Sequence, residues 1–361
     1  FTWLLGLAVF TSGSLSCMVT GAVSRPVNDA LKVPHEKSAF LVHATSTPWC
    51  VLFPFSGWLA SMAGYLVSGG VPEGESVAVL FQSIGFNFYC ILAVLVALVV
   101  SLLQKDFGPM AKAEKRAAEL GQLDDPAHVR EDDGTAAPDT DVKPRARNLL
   151  VPVGVLIAVM FGTLLVTGSG DITKGAGLQA LIWAVVTSLL TIIIMTVVQK
   201  VFTLDQAISE MFKGMSHMLP IAFILLLGFT MGNVVKALDT GSYLSSLFQR
   251  LLSPALLPAL TFLIALLISF ATGTSMGTMA IMAVIALPMA FDMGTSIPLV
   301  AGAMFGGSIF GDHCSPISDT TIMTCSTTGC DIIDHVKTQA PYCAIMAAAS
   351  FVLYIMCGFV M

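Results

Sequence analysis

The sequence predicts an all-α polytopic membrane protein that is built from inverted repeats, with re-entrant hairpins and broken transmembrane helices. Of its 361 residues, 55% are hydrophobic and only 11% are charged, a composition typical of membrane proteins rather than soluble ones. Long apolar runs carry short polar clusters near their middles, and 18 of the 40 charged residues fall in one insert, residues 104–147. No basic patch interleaved with aromatic residues occurs, so nothing indicates a nucleic-acid partner.

Two apolar runs near the start of the chain are interrupted by polar residues. The run 1–23 contains Thr-Ser-Gly-Ser at positions 11–14, which predicts two short helical arms that meet at a polar tip. The run 39–69 is broken by the His-Ala-Thr-Ser-Thr-Pro cluster at 43–48 and again at Pro54, because proline removes a helix hydrogen bond.

A single span and a hydrophilic insert follow these runs. Residues 77–103 form an apolar run long enough to cross the hydrocarbon core, which takes about 20 helical residues. The insert 104–147 carries eight Lys/Arg and ten Asp/Glu, which predicts a solvated, partly disordered linker. It separates a first transmembrane half, residues 1–103, from a second half, residues 148–361.

The second half is predicted to contain several spans, one interfacial helix and two interruptions. The interruptions are expected at a Thr/Ser/Gly cluster, residues 271–278, and at a second cluster, residues 312–316. In chain order, the expected elements are spans near 149–166 and 178–198, an amphipathic interfacial helix at 202–216, a span at 217–235, an interrupted run at 251–291, a run at 298–328 that holds the second cluster, and a final span at 336–361.

Loop charges favour a topology in which the interrupted runs around Ser12 and Thr274 are re-entrant hairpins. In that topology, the loops on one side of the membrane hold 14 of the 17 Lys/Arg residues. The two hairpins then have opposite orientations, which makes the halves an inverted repeat. Within the second half, three spans precede the hairpin, whereas no span precedes the hairpin of the first half. We therefore expect about three helices to be missing before Phe1.

The segment 311–321 is the strongest functional signal in the chain. It places two carboxylates, Asp312 and Asp319, inside an apolar region, where each charge costs roughly 3 kcal/mol or more and usually marks an ion or proton path. Pro316 should break the helix and free backbone carbonyls. The two aspartates are seven residues apart, which would place them on one face of a helix. A buried carboxylate can hold a proton or a sodium ion but not both, and that competition is the minimal chemistry of antiport.

Hydroxyl side chains near the interruptions are candidates to coordinate a substrate or ion. The tips and helix breaks of the two halves are expected to meet at the bilayer midplane, where hydroxyl oxygens and helix ends act together. For these hydroxyls the alternative is local capping, and for Asp312 and Asp319 it is capping of the restarting helix. The candidates are Thr272, Thr274, Ser275, Thr278, Ser315, Ser318, Thr320, Ser12, Ser14, Thr45, Ser46 and Thr47.

Two histidines, His43 and His313, flank the interruptions and are candidates for a proton relay, with a structural hydrogen-bonded role as the alternative. An intramembrane hydrolase would need a nucleophile and a base, for which His313 beside Ser315 is the local candidate. A receptor without transport is a further alternative. No GxxxxGK[ST] nucleotide loop occurs, so we expect no ATP drive, no cofactor and no metal beyond transported sodium.

Several stretches of the chain resemble NhaC-type sodium/proton antiporters. The resemblance implies the ion-transporter-type fold with inverted repeats, a bacterial or archaeal inner membrane, and secondary exchange. It also implies that Asp312 and Asp319 occupy the characteristic acidic positions of that family. The stretches that carry the resemblance are 273–278, 311–321 and 330–341 in the second half, and Arg25-Pro26, 32–37 and 45–55 in the first.

The chain departs from that family at positions where members often carry acidic residues. Here these positions are Ser12-Gly13 and His43. Related antiporters exchange carboxylates such as malate and lactate, and a less acidic site would tolerate an anion better. The leading hypothesis is an antiporter that exchanges sodium for protons at Asp312 and Asp319. The alternative is a sodium- or proton-coupled exchanger of small organic anions.

The expected partners follow from these two hypotheses. They are the lipid bilayer, the sodium ion, the proton and, for the alternative, a small carboxylate. A homodimer is included among the expected assemblies. The insert 104–147 is expected to lie in the cytoplasm because it holds the largest share of the basic residues.

Overall fold

The computed structural model describes residues 1–10, 12–53, 56–103, 105–128, 147–170, 177–238 and 253–360. These residues form helices, turns and short connections without a β-strand, which confirms the predicted all-α class. The α-helices are α1 Thr2–Ala8, α2 Gly13–Ala30, α3 His35–Leu52, α4 Leu59–Ser68, α5 Glu73–Ile84, α6 Phe88–Leu103, α7 Gly108–Leu120, α8 Arg147–Thr167, α9 Gly177–Val198, α10 Leu204–Ala237, α11 Leu257–Thr272, α12 Ser275–Met293, α13 Ile297–Cys314, α14 Asp319–Thr328 and α15 Ile332–Val360.

Four segments among the described residues are long and apolar enough to cross a membrane. The first runs from α6 into α7, and its apolar part is α6, because α7 carries several charged side chains. Shorter apolar helices accompany them, which identifies a multi-pass membrane protein. The four segments are Phe88–Leu120, Pro254–Thr272, Ser275–Met293 and Ile332–Val360.

The predicted single span at 77–103 is wrong, because the chain leaves the helix between α5 and α6. Asn87 is buried at this break, and the carbonyl oxygen of Phe86 accepts a hydrogen bond from the Tyr354 hydroxyl at 2.8 Å. A Cβ atom at Gly302 of α13 would lie 2.8 Å from the Phe86 carbonyl carbon. A tertiary contact thus stabilises an interruption that the apolar pattern conceals.

The predicted interruption at 43–48 is also wrong, because α3 continues through Pro48 and ends at Leu52. Pro48 lacks the N–H group that would continue the hydrogen-bond ladder. The hydroxyls that precede Pro48 bond to other carbonyls of the same helix: Thr45 donates to the Leu41 carbonyl at 2.7 Å and Ser46 to the Val42 carbonyl at 2.6 Å. The chain is next helical at Leu59, consistent with the second predicted interruption at Pro54, which lies outside the described residues.

The region 202–235 also differs from the prediction. The predicted interfacial helix at 202–216 and the predicted span at 217–235 form one continuous helix, α10. Its 34 residues correspond to a length of about 51 Å, more than the hydrocarbon core requires.

The two predicted hairpins are present as pairs of consecutive helices. α1 and α2 are joined at 9–12, while α11 and α12 are joined at Gly273, which has φ +66° and ends α11 in the left-handed conformation that favours glycine. Each arm of the second pair is long enough to cross a membrane alone. Re-entrance and the inverted repeat therefore stay predictions.

Glycines allow α13 to approach α11 closely. A Cβ atom at Gly307 would lie 2.5 Å from the Phe262 carbonyl oxygen, and one at Gly311 would lie 2.1 Å from the Ser269 carbonyl carbon. The Ser269 hydroxyl donates to the Gly307 carbonyl and accepts from the Gly311 N–H, both at 3.0 Å. This agrees with the close-contact role that small residues have between membrane helices.

The first part of the hydrophilic insert is folded rather than solvated. The Lys37 amine contacts Asp106 at 2.7 Å and also Glu114, and Arg116 contacts Glu36 at 2.7 Å. Lys37 and Glu36 are 4% and 3% exposed, so each buried charge has an opposite partner. These ion pairs attach α7 to the start of α3, and we call this region the charged end. The rest of the insert, 129–146, lies outside the described residues, including the predicted disorder.

His35 adds a second set of contacts at the charged end. Its Nδ1 atom lies 2.7 Å from Asp124 and its Nε2 atom 3.1 Å from Asp29. A Cβ atom at Gly329 would lie 3.2 Å from the His35 ring and 2.7 Å from the Arg25 guanidinium. The loop charges predict that four segments, 24–38, 104–147, 200–216 and 329–337, share one side of the membrane. Described residues of three of them, 24–38, 104–147 and 329–337, meet at the charged end.

We predict that Gly311→Ala lowers the free energy of unfolding by about 2 kcal/mol, because the added methyl group would overlap the backbone of α11. Thermal unfolding in detergent measures the change. Gly154→Ala on α8 is the matched control, because no heavy atom lies within 4 Å of its Cβ position. A similar decrease in both variants would contradict the proposed helix contact.

We also predict a pH-dependent contribution of His35 to stability. Burial lowers the pKa of His35, but the hydrogen bond and charge of Asp124 and the charge of Asp29 outweigh burial and raise this pKa above its ordinary value of 6.5. A group with a raised folded-state pKa stabilises fully below its unfolded pKa, and this stabilisation is lost as the pH rises through the folded-state pKa. Asp124→Asn should thus lower the melting temperature at pH 6 and change it much less at pH 9.

Asp125→Asn is the control for this pH dependence, since Asp125 contacts Arg116 and the backbone of Ala127 rather than His35. Its effect should be similar at the two pH values. An Asp124→Asn effect that is equally large at pH 6 and pH 9 would show that His35 does not contribute in this way.

Candidate functional site

The site is organised around the predicted helix break between α13 and α14. Ser315 has φ −81° and ψ 128°, the extended conformation that a following proline imposes. The carbonyls exposed by the break are satisfied by side chains. Thr321 donates to the carbonyls of Asp312 and Ser315, both at 3.0 Å, and Gln339 donates to the His313 carbonyl at 2.5 Å. These interactions hold the break in one conformation.

Asp312 is the buried carboxylate of the site and is 2% exposed. The Ser318 hydroxyl donates to its Oδ1 atom at 3.4 Å, and the Ser275 side chain lies close enough to interact with the carboxylate. Ser318 is the N-cap of α14 and Ser275 is the first residue of α12. Two helix amino ends therefore face the carboxylate, where their partial positive charges stabilise its ionised form.

Asp319 does not share this environment. It is the first residue of α14 and is exposed, although it lies near enough to interact electrostatically with Asp312. The expectation that the two aspartates share one helix face is wrong, because residues 315–318 interrupt the helix between them. An acidic residue in the first helical turn complements the helix dipole, which is the capping alternative noted from the sequence.

The second hairpin tip contributes one side chain to Asp312 and otherwise stabilises itself. Thr274 caps α12 by accepting from the Gly277 N–H at 3.3 Å. Thr278 donates to the Thr274 carbonyl and Thr272 donates to the Ile268 carbonyl, both at 2.8 Å. Of the four predicted ligands at this tip, only Ser275 reaches the carboxylate.

The predicted hydroxyl ligands of the first half have different surroundings from one another. Thr45 and Ser46 bond to the backbone of α3, as described above. Ser12 and Ser14 are half-buried at the start of α2. Thr47 is fully buried, lies against Gly13 of the first hairpin, and has no hydrogen-bond partner among the described residues.

A seam of small polar side chains lies between α2, α3 and α14, and sequence reasoning missed most of it. Cys17 of α2 contacts Thr324 and Ser46 and lies close enough to Asp312 to interact with its charge. Buried hydroxyl groups without a partner in the described part of the chain are unusual, because each costs about 1–3 kcal/mol. Those in and beside the seam are Thr20, Thr47, Ser315 and Thr324.

His313 connects three helices, and both of its ring nitrogens have partners other than Ser315. Its Nε2 atom lies 3.1 Å from the His43 carbonyl oxygen, which can only accept, so Nε2 carries the proton. Its Nδ1 atom then accepts from the Tyr89 hydroxyl at 3.1 Å. Both nitrogens are thus engaged away from Ser315, whose hydroxyl has no partner among the described residues. This arrangement favours the structural alternative for His313.

His43 occupies a different position, between the helix break and a further histidine. Its Nε2 atom lies 3.0 Å from the Thr320 hydroxyl, and its Nδ1 atom lies 3.0 Å from Nε2 of His335 on α15. All three side chains are buried. The sequence contains His335 within the stretch 330–341 but gives no signal for its role, because it is 292 residues from its partner.

One family profile and several curated proteins match the chain. The profile of the Na+/H+ antiporter family matches residues 49–359. An uncharacterized protein of Haemophilus influenzae is 30% identical over 373 residues, which cover 98% of this chain and 70% of that protein. No solved structure matches the chain significantly.

Two relatives with named activities match shorter parts of the chain. A malate-2H(+)/Na(+)-lactate antiporter of Bacillus subtilis is 35% identical over 107 residues, 29% of this chain and 23% of that protein. The Na(+)/H(+) antiporter NhaC of Alkalihalophilus pseudofirmus is 32% identical over 132 residues, 36% of this chain and 28% of that protein. The chain thus aligns with less than a third of either protein.

Proposed function

We propose, on the premise that this chain belongs to the Na+/H+ antiporter family, that it exchanges sodium ions for protons across a membrane. Asp312 is the group that the two ions share. Membership of this family indicates a transporter rather than an enzyme. The single observation that carries the proposal is the burial of Asp312 among hydroxyl groups at the helix break.

The surroundings of Asp312 suit a sodium ion without its water shell. Hard cations prefer oxygen ligands such as carboxylates, hydroxyls and carbonyls. The carboxylate supplies the charge, while Ser275 and Ser318 already contact it and Ser315 has a buried hydroxyl without a described partner. Thr320 bonds to Ser318 rather than to the carboxylate, so it is not among the proposed sodium ligands.

Exchange follows from the cost of a bare charge inside the membrane. An ionised aspartate at bilayer depth costs several kcal/mol unless a counter-charge accompanies it. Either a sodium ion or a proton neutralises Asp312, and the two compete for the same oxygen atoms. If the site crosses from one side to the other only when neutralised, each sodium ion that leaves must be replaced by a proton. That rule couples the two fluxes without ATP.

Exchange of small organic anions is the second candidate, favoured by two observations. One is the similarity to the malate-2H(+)/Na(+)-lactate antiporter. The other is that the amino ends of α12 and α14 face the site, where they could also bind a carboxylate. The anion would meet Asp312 there, so its binding would require that a sodium ion or proton first neutralise that residue.

The location and assembly of the protein belong to the same proposal. We place it in the inner membrane of a bacterium or archaeon, with the charged end and the 104–147 insert in the cytoplasm, because basic residues concentrate on the cytoplasmic side. The proposal also includes two transmembrane halves, 1–103 and 148–361, that are related as an inverted repeat. It further includes assembly into a homodimer.

We predict that Asp312→Asn abolishes sodium transport driven by a pH gradient in proteoliposomes, lowering the rate at least tenfold, because an amide cannot exchange a proton for sodium. Asp319→Asn is the matched control and should retain most of the rate, since Asp319 is exposed outside the site. Tracer sodium uptake measures both. Normal transport by Asp312→Asn would contradict the assignment, and its loss only in Asp319→Asn would move the site.

The same vesicles separate the two candidate functions. Sodium-dependent proton movement without any organic substrate supports sodium/proton exchange. Movement that begins only after malate or lactate is added supports the organic-anion exchanger. In both cases, Asp312→Asn should be inactive.

A further inference from the structure

Four consecutive hydrogen bonds connect Asp312 to His335. Asp312 Oδ1 accepts from Ser318 at 3.4 Å, the Ser318 and Thr320 hydroxyls are 2.9 Å apart, Thr320 and His43 Nε2 are 3.0 Å apart, and His43 Nδ1 is 3.0 Å from His335 Nε2. The chain passes through α13, α14, α3 and α15, so tertiary structure alone assembles it. Each member is at least 97% buried.

When Asp312 is ionised, the direction of every hydrogen bond in this chain is fixed. The carboxylate can only accept, so Ser318 donates to it and must accept from Thr320. Thr320 then accepts from Nε2 of His43, whose Nδ1 must accept from Nε2 of His335. The remaining nitrogen, Nδ1 of His335, is therefore an unprotonated acceptor. It is buried and has no hydrogen-bond partner among the described residues.

We propose that this chain of side chains, from Nδ1 of His335 through His43, Thr320 and Ser318 to Asp312, is the route by which protons reach and leave the site. The proposal rests on the proposed function and adds to it the residues that carry the proton. His335, which has no other role in the site, is the point of entry.

The transfer balances atom by atom. A proton binds Nδ1 of His335, the Nε2 proton of His335 passes to Nδ1 of His43, and the Nε2 proton of His43 passes to Thr320. The hydroxyl proton of Thr320 passes to Ser318, and that of Ser318 passes to Asp312. One proton has entered at His335 and one has been added to the carboxylate. All four hydrogen bonds are remade in the opposite direction, and the reverse sequence releases the proton.

The entry point lies near the charged end. The backbone N–H of His335 bonds to the Asp331 carbonyl at 2.9 Å, in the first turn of α15. Asp331, Asp334 and Lys337 lie on or beside this turn, and the adjacent Gly329 contacts Arg25 and His35 from α2 and α3. Protons at this end are thus supplied from a region rich in titratable groups.

A route made of hydrogen-bonded side chains conducts protons but excludes sodium ions. A sodium ion cannot pass between His43 and His335, because their ring nitrogens are in direct hydrogen-bond contact at 3.0 Å. The two ions would therefore approach Asp312 by different paths. His313 does not take part, because its nitrogens bond to Tyr89 and to the His43 carbonyl.

The test compares two activities of the reconstituted protein. Exchange of external tracer sodium for internal sodium requires the ion site but no net proton transfer, whereas sodium uptake driven by a pH gradient requires both. His335→Gln keeps an N–H donor near the position of Nε2 but cannot relay a proton. It should reduce pH-driven uptake at least tenfold and leave sodium–sodium exchange within about twofold of the unsubstituted protein.

Two threonines of α14 provide a matched pair. Thr320→Val removes a hydroxyl from the route and should have the same selective effect, while Thr320→Ser should restore pH-driven uptake. Thr328→Val is the control: this hydroxyl is equally buried but bonds to the Thr324 carbonyl of its own helix at 2.7 Å. It should leave both activities unchanged.

The outcomes distinguish the route from the proposed function. If the unsubstituted protein shows no sodium-dependent proton movement, the function itself is wrong. If the unsubstituted protein moves protons with sodium and His335→Gln does so at the same rate, the function stands and the proton route is overturned. An equal loss of both activities in His335→Gln and Thr320→Val would show a structural role and would also overturn it.

Discussion

The candidate site depends on the buried carboxylate of Asp312, which is 2% exposed. A buried carboxylate is costly unless hydrogen bonds, dipoles or counter-ions stabilise it. Two features supply that stabilisation: the amino ends of α12 and α14, and the hydroxyls of Ser275 and Ser318 at those ends. Both exist only because helices are interrupted here. The interruptions that look like defects in an apolar span therefore create the site.

The close packing of α13 maintains these interruptions. Gly311 immediately precedes Asp312 and lies against the backbone of α11, while Gly302 and Gly306 lie against the break between α5 and α6. Gln339 and Thr321 bind the carbonyls that the break exposes. Two helix breaks are thus connected through α13, and a movement of α13 relative to its neighbours would change the surroundings of Asp312.

The sequence predicted those parts of the site that depend on local chemistry. Pro316 determines the break before α14, and Gly273 allows the tight turn between α11 and α12, because backbone geometry decides both. The apolar pattern failed at the break near Asn87, which a tertiary contact with Tyr354 stabilises. The interruption predicted at 43–48 failed as well, because α3 continues through Pro48 to Leu52.

The difference between local chemistry and tertiary contacts also explains which site residues could be found from the sequence. Asp312 was identifiable because its charge is anomalous in an apolar run. Asp319 was expected beside it, but the break separates their environments. Contacts such as that of His43 with His335 join residues far apart in the chain, and no periodicity or local motif reveals them. Cys17 and Thr324, which line the seam, resemble ordinary small core residues in the sequence.

The claim that sodium and the proton share Asp312 is tested most directly by calorimetric titration of the purified protein with sodium at several pH values. A ligand that binds only the deprotonated form of a group must release a proton when that group is protonated. We predict that sodium affinity falls about tenfold for each pH unit below the pKa of Asp312. Up to one proton should be released for each sodium ion that binds. Sodium binding of constant affinity across this pH range, without proton release, would contradict the account.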